Sequence, residues 1–231
     1  MTAAAQPDRA TGRQALTTVP VLGTYVRMAA ARLAVRLGPG VAATAVQRSA
    51  GQLTGVGRDP GHVALATQVG PVTDALSSSQ VLAVPDVLTT DRWPAWRSAA
   101  EEAQVRSALV APARSGARCA VAIAVLGPRP RRWTAMEVMA ADTAAQEVAR
   151  AVQLCESLLT SAPAPIRRSG EAALLVDQAV QALVEQTGVD VLQALRELRR
   201  AVADHGGDVP AACRAATGVT GPAESVALPA P

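Results

Sequence analysis

Apolar residues recur at three- and four-residue steps from Leu22 through Tyr25, Val26 and Ala29 to Leu33, with arginines between them. That spacing predicts an amphipathic helix. Pro20 suits its first turn, and Gly38-Pro39-Gly40 ends it after Leu37. The period then changes. Residues 41–47 alternate as a strand, Ser49-Ala50-Gly51 reads as a turn, and residues 52–56 read as the return strand of a hairpin closed by a Gly/Pro-rich turn at 57–61. Residues 62–68 read as helix. Between Gly70 and Pro112 the pattern predicts a short helix over 72–76, a turn of serines and a strand over 81–84 with a Pro-Asp exit. A helix capped by Asp91 with Pro94 in its first turn follows, and then a strand over 107–111. Trp93 and Trp96 lie three apart, on one helical face that should pin to a sheet.

After a Ser115-Gly116 turn, residues 118–126 are nearly continuous in apolar character, as expected of a central strand covered on both faces. A Pro/Arg loop precedes a long amphipathic helix over 134–160, where Thr134 and Glu137 form a capping box. These elements predict an α+β domain over residues 13–160, one sheet flanked by helices. Residues 161–170, twice interrupted by proline, read as a linker. A three-helix bundle is expected over 171–217. Its helices cover 171–187 (apolar side Leu174, Leu175, Ala179, Ala182, Leu183), 190–204 (Val191, Leu195, Leu198, Val202) and 210–216. Residues 1–12 and 218–231 read as disordered.

Composition narrows the classes. Of 231 residues, 49% are hydrophobic, yet phenylalanine is absent and aromatics total 2%, so the core must be aliphatic. The net charge is +3, and arginine supplies all the fixed positive charge, since the chain has no lysine. So mild an excess permits local nucleic-acid contact but lacks the clustered charge of a dedicated DNA-binding domain. Cys119, Cys155 and Cys213 are odd in number and match no metal or CxxC spacing, which predicts buried free thiols in a reducing compartment. Residues 1–14 lack the apolar core of a leader, and no run approaches the ~18 apolar residues of a membrane span. A cytoplasmic protein without a membrane partner is expected.

Candidate chemistry is sparse. His62 and His205 are the only histidines, and no nucleophilic triad, phosphate-cradling loop or zinc motif is present. The expectation is a protein that is not an enzyme and carries no cofactor or metal. Asp74 and Asp86 read either as ligand contacts or as side chains serving nearby backbone N–H groups. Arg196, Arg199 and Arg200 share one side of the second bundle helix, with Arg167 and Arg168 in the linker and Arg214 on the third helix. Arginines so spaced either track phosphates or form a solvated face. Leu22, Val26 and Leu33 in the first helix and Leu154, Leu158 and Leu159 in the long one serve either the core or the seam of a homodimer.

The Gly-Pro before a short Asp-Ala-Leu helix, the Val-Pro-Asp strand exit, Asp-Arg-Trp-Pro and the Val-Arg-Ser strand entry together resemble a GAF domain, over roughly residues 15–155. The likeness is closest to GAF domains of actinobacterial regulators that carry a C-terminal ANTAR domain. VDQAVQALVEQTG, the Ala194-Leu195 helix and DVPAACRAA in turn resemble ANTAR, an RNA-binding output module. Asp177, Gln178, Ala179 and Leu183 match its first helix, Val180 and Gln181 stand where lysine and glycine are typical, and residues 205–208 replace a usually basic turn. The resemblance implies a signal-responsive transcription regulator. A small-molecule ligand would sit in the GAF domain, and Arg196, Arg199, Arg200 and Arg214 would hold hairpin RNA for antitermination, within a homodimer. The alternative is a degenerate GAF-ANTAR protein serving as an interaction or dimerisation module without RNA. The Asn-Lys-Phe-Asp-Glu set of cyclic-nucleotide GAF domains is excluded in a chain without Lys or Phe.

Overall fold

The computed structural model describes residues 15–115 and 119–218. The expected disorder of residues 1–12 and 219–231 and the turn at Gly116 lie outside the described residues, as do the side chains of Ser115 and Cys119. The chain divides into two compact units, Met1–Glu156 and Ser157–Pro231.

The first unit contains α1 (Ala15–Thr18), α2 (Pro20–Leu37), β1 (Ala42–Ser49), β2 (Gln52–Gly57), α3 (Pro60–Ala66), α4 (Pro71–Ser78) and β3 (Leu82–Val84). A 3-10 turn (Val87–Thr89), α5 (Pro94–Glu102), β4 (Ser107–Ser115), β5 (Cys119–Gly127) and the greater part of α6 (Ala135–Ser161) complete it. The architecture is α+β, as expected: one antiparallel sheet ordered β2-β1-β5-β4-β3, with flanking helices. Ala50 and Gly51 turn the β1–β2 hairpin with φ of 49° and 81°, the left-handed pair that a two-residue turn matched to strand twist requires. β4 runs four residues beyond the expected end at Ala111, because it pairs with β5 as far as Ser115–Cys119. Pro112 is tolerated there, since β3 reaches only Ala108–Val110 and leaves the far side of Pro112 without a strand to bond.

Strand alternation divides the core. Val46, Val110, Ala122 and Ala124 meet Ala66, Val72, Ala75 and Leu76 of α3 and α4 on one face. Beside them Leu65, Val84, Val87, Val105, Ala108 and Leu126 pack around Trp93 and Trp96, whose rings meet edge to face at 6.1 Å and 75°. Trp93 itself is the α5 N-cap, with Pro94 opening the helix. Asp91 is therefore not the cap expected of it: it lies two residues too early, and its exposed carboxylate pairs with Arg97 at 3.5 Å. α2 packs on β1 and β2. On β1 the fully buried Gln47 accepts from the Leu16 N–H at 3.2 Å and donates to Glu156 Oε1 of α6 at 2.7 Å. Leu22, Val26, Leu33 and Leu158 are all buried within the chain.

Arg131 ties the sheet's lower end together. Its guanidinium bonds the Leu37 carbonyl at 2.9 Å, pairs with Glu137 and lies 4.6 Å above the Trp133 ring, while its N–H donates to the Pro85 carbonyl at 2.8 Å. Thr134 and Glu137 complete the expected capping box of α6: Thr134 N–H donates to Glu137 Oε2 at 2.8 Å and Glu137 N–H to Thr134 Oγ1 at 3.3 Å. Burial works against the Glu137 charge, yet the Thr134 amide and hydroxyl and the Arg131 guanidinium outweigh it and hold this carboxyl below its ordinary 4.5.

In the second unit, α7 (Ala164–Ser169) forms within the expected linker, followed by α8 (Glu171–Thr187), α9 (Val191–Asp204) and α10 (Val209–Thr217). Asp190 and Asp208 cap the last two by accepting from Gln193 and Ala211 N–H. α8 packs against α9 and α10. Its buried side is Ala172, Ala173, Val176, Ala179 and Val180, so Leu174, expected inside, is 61% exposed. Apolar residues spread over more than one face of this helix, so its sequence does not fix its own phase, and the alanines and valines face inward, where neighbouring helices approach. Leu195, Leu198 and Val202 of α9 are buried as expected.

Two measurements test these contacts. A Cβ at Gly70 would stand 2.7 Å from Cγ and Cδ1 of Trp96, so Gly70→Ala should lower stability by about 1–3 kcal/mol in urea denaturation, as overpacked cores do. Because the folded Glu137 pKa is depressed, its contribution is fully present above the ordinary carboxylate value and lost as pH falls through the lower folded one. Glu137→Gln should therefore cost about 1.5 kcal/mol near neutral pH, in line with a hydrogen bond to a charged group. The gap to the unaltered protein should shrink as the pH of the melts falls below the ordinary carboxylate value and close once it lies below the lowered folded one.

Candidate functional site

Asp74 and Asp86, the acids expected either to meet a ligand or to serve backbone, are both engaged by the protein. Asp74 Oδ2 accepts from the Trp93 indole at 3.1 Å and from Arg92 at 3.0 Å, and Arg92 in turn lies 4.7 Å from the Trp93 centroid. The aspartate thus fixes the tryptophan that closes the core rather than its own helix. Asp86 accepts from the Leu88 N–H at 3.1 Å and takes the Arg106 guanidinium on both oxygens, at 3.1 and 3.2 Å. It caps the turn after Pro85, and the bidentate ion pair locks the entry to β4.

A cleft of about 690 Å³ opens at the same end of the sheet. Its walls come from the C-terminal half of α2, the 38–41 loop, the first residues of β1 and the turn from β2 into α3. The antiparallel register Thr44↔Gly57 brings these segments together. Arg27, Arg58, Asp59 and His62 are its charged and titratable residues. Asp59 Oδ1 accepts from the Gly61 and His62 N–H groups at 2.7 and 3.1 Å. The bond from His62 N–H leads the effects that hold this exposed carboxyl below its ordinary 3.8. His62 is half-buried, and its Nδ1 is shielded from water with no hydrogen-bond partner. No local signal in the sequence pointed to this cleft, because Arg27, Arg58 and His62 come to line it only through the β1–β2 pairing and the packing of α2 on those strands.

In the second unit, Arg196, Arg199 and Arg200 are all exposed along one side of α9, and Arg214 is exposed on α10. Arg196 bonds Gln193 Oε1 at 3.3 Å and Arg199 bonds Ser157 Oγ at 2.9 Å, so neither is neutralised by these contacts. Val180 is fully buried and Gln181 donates to Asp177 at 3.1 Å. His205 sits at the α9 C-terminus with Nδ1 2.8 Å from the Ala201 carbonyl, which requires the proton on that nitrogen. Burial pushes the Cys213 thiol up to about 11, which takes from it the character of a nucleophile, and Cys155 is buried and outside any disulfide. Among the described residues no group of three His, Cys, Asp or Glu is placed to hold a metal ion, and no helix is long and apolar enough to cross a membrane.

The GAF domain family matches residues 17–152, from α1 through most of α6. No curated protein matches the chain. The match spans more than half of the 231 residues, and its extent agrees with the five-stranded antiparallel sheet and its flanking helices. The chain belongs to the GAF domain family, whose members are modules of small-molecule sensing and signalling.

Proposed function

We propose that this GAF-family chain is a signal-responsive transcription regulator, not an enzyme, whose C-terminal helices bind structured RNA and act by antitermination. The observation that carries the reading is the row of exposed guanidinia at Arg196, Arg199 and Arg200 on α9, with Arg214 on α10. They stand on the helical second unit, which follows a sensor-family domain and whose helices α8 to α10 resemble ANTAR in sequence. Arginines at three- and four-residue steps present their charges at the spacing a phosphate backbone offers. A regulatory rather than catalytic role is supported by the fate of the reactive groups: Asp74 and Asp86 are occupied by arginines and backbone, and the Cys213 thiol is pushed up to about 11.

Coupling would run through α6, which crosses from the first unit into the second and receives the Gln47 side chain at Glu156. A signal that shifts β1 would be felt on that helix, and the output would respond in proportion to the signal's preference for one state. A cytoplasmic homodimer is part of the proposal. Met136 and Met139, 65% and 61% exposed near the start of α6, give it an apolar surface that the core leaves free.

A second reading has its own support. With Val180 buried and Gln181 bonded to Asp177, α8 presents no cation where the ANTAR resemblance leads one to expect lysine. The unit would then be a protein-interaction or dimerisation module without RNA affinity.

Crosslinking and sequencing of bound RNA in the host, with an Arg196/Arg199/Arg200→Ala variant in parallel, separates the two. The first reading expects enrichment of tandem hairpins upstream of terminators, lost in the variant. In titrations the slope of log affinity against log salt should drop by about 3, one for each phosphate contact removed. An RNA profile no different from the variant's, together with a stable dimer, overturns the RNA reading in favour of the second.

A further inference from the structure

We infer that the cleft beside α2 is a binding site for a small organic anion with an apolar body, a carboxylate carried on an aliphatic chain or ring. Its volume of about 690 Å³ falls within the range of small-molecule sites. Ala31, Ala34 and Val35 of α2 line one side, and Pro39, Val41 and Ala42 line another. Such walls reward burial of hydrocarbon and offer it no hydrogen bond.

The cleft carries a net positive charge, two guanidinia against one carboxylate. Arg27 and Arg58 line it, both exposed, and neither guanidinium is paired with an acid among the described residues. Asp59 is the acid of the lining, and its Oδ1 already holds the Gly61 and His62 N–H groups. Two planar cations beside an apolar wall suit a single carboxylate, which can accept parallel N–H bonds from a guanidinium. A dense polyanion would leave the walls uncovered. A neutral hydrocarbon would crowd the two guanidinia without pairing either.

The site is built before any ligand arrives. Gly38 and Gly40 turn the 38–41 wall with φ of 114° and 76°, and Val41 N–H returns to the Gly38 carbonyl at 3.4 Å. Arg131 holds the carbonyl of Leu37 just before this turn, and a Cβ at Gly40 would stand 3.1 Å from Pro128 Cγ. A wall pinned from behind loses little freedom on binding. The tryptophans and the α3–α5 helices fill the sheet face next to Val46, whereas this cleft lies at the strand ends under α2. The inference concerns the first unit alone and is independent of RNA binding by the second.

The test titrates the full chain with the anionic fluorophore 8-anilinonaphthalene-1-sulfonate and displaces it with decanoate or with uncharged decanol. Saturable binding is expected, with decanoate displacing the dye at a concentration about tenfold lower than decanol. Arg27→Glu and Arg58→Glu should each weaken decanoate about tenfold. Ala31→Trp, an exposed position whose larger side chain fills the cleft, should abolish displaceable binding, with circular dichroism melts confirming that each variant is folded. The proposal is overturned if no saturable binding occurs, if decanol competes as well as decanoate, or if the folded Arg58→Glu and Ala31→Trp proteins bind as the unaltered chain does.

Discussion

A single guanidinium holds the working end of the first unit. Arg131 touches the last carbonyl of α2, the carboxylate in the first turn of α6 and the face of Trp133, while its backbone reaches the exit of β3. The end of α2, the exit of β3 and the start of α6 therefore converge on one residue, and its guanidinium bonds to Leu37 and Glu137 are charge-assisted, a kind stronger than neutral ones. The need for such a fastening follows from composition. A core built from Ala, Val and Leu without one phenylalanine buries less area per side chain than an aromatic core would. Polar attachments at the strand ends then decide where the helices stop and start.

Much of this architecture was legible because the chain punctuates itself. Pro20 and Gly38 bracket α2 at the ends the structure gives, and Thr134 with Glu137 announces α6. Asp190 and Gly188 do the same between α8 and α9. Each of these signals is local, acting within a turn of the residue that carries it. The misses have the opposite character. Asp91 looked like a cap, but the Trp93-Pro94 pair begins α5 by backbone geometry alone. Leu174 looked like core, but an alanine-rich helix leaves the choice of inner face to its neighbours. Asp74 spends its carboxylate on a tryptophan nineteen positions later, and no periodicity reports such a bond.

The candidate sites divide along the same line. The arginine row on α9 follows from helical spacing and was visible at once. The cleft under α2 draws Arg27 from a helix, Arg58 from a hairpin exit and His62 from the next helix, and the β1–β2 register together with the packing of α2 brings them to one cleft. Sensor-type folds place much of their chemistry in this second category, on connections that a rigid sheet positions.

The three tryptophans give the molecule a built-in optical division. Trp93, Trp96 and Trp133 all belong to the first unit, and the second has neither tryptophan nor tyrosine. Emission excited at the indole band therefore reports the packing around the α5 end of the sheet and the Arg131 attachment alone. The second unit, helical throughout its named elements, is silent there but contributes strongly to far-ultraviolet dichroism. Indole emission thus follows the first unit by itself while dichroism sums the helices of both, so a melting step seen in dichroism and absent from emission belongs to the second unit, without a mutation or a dye.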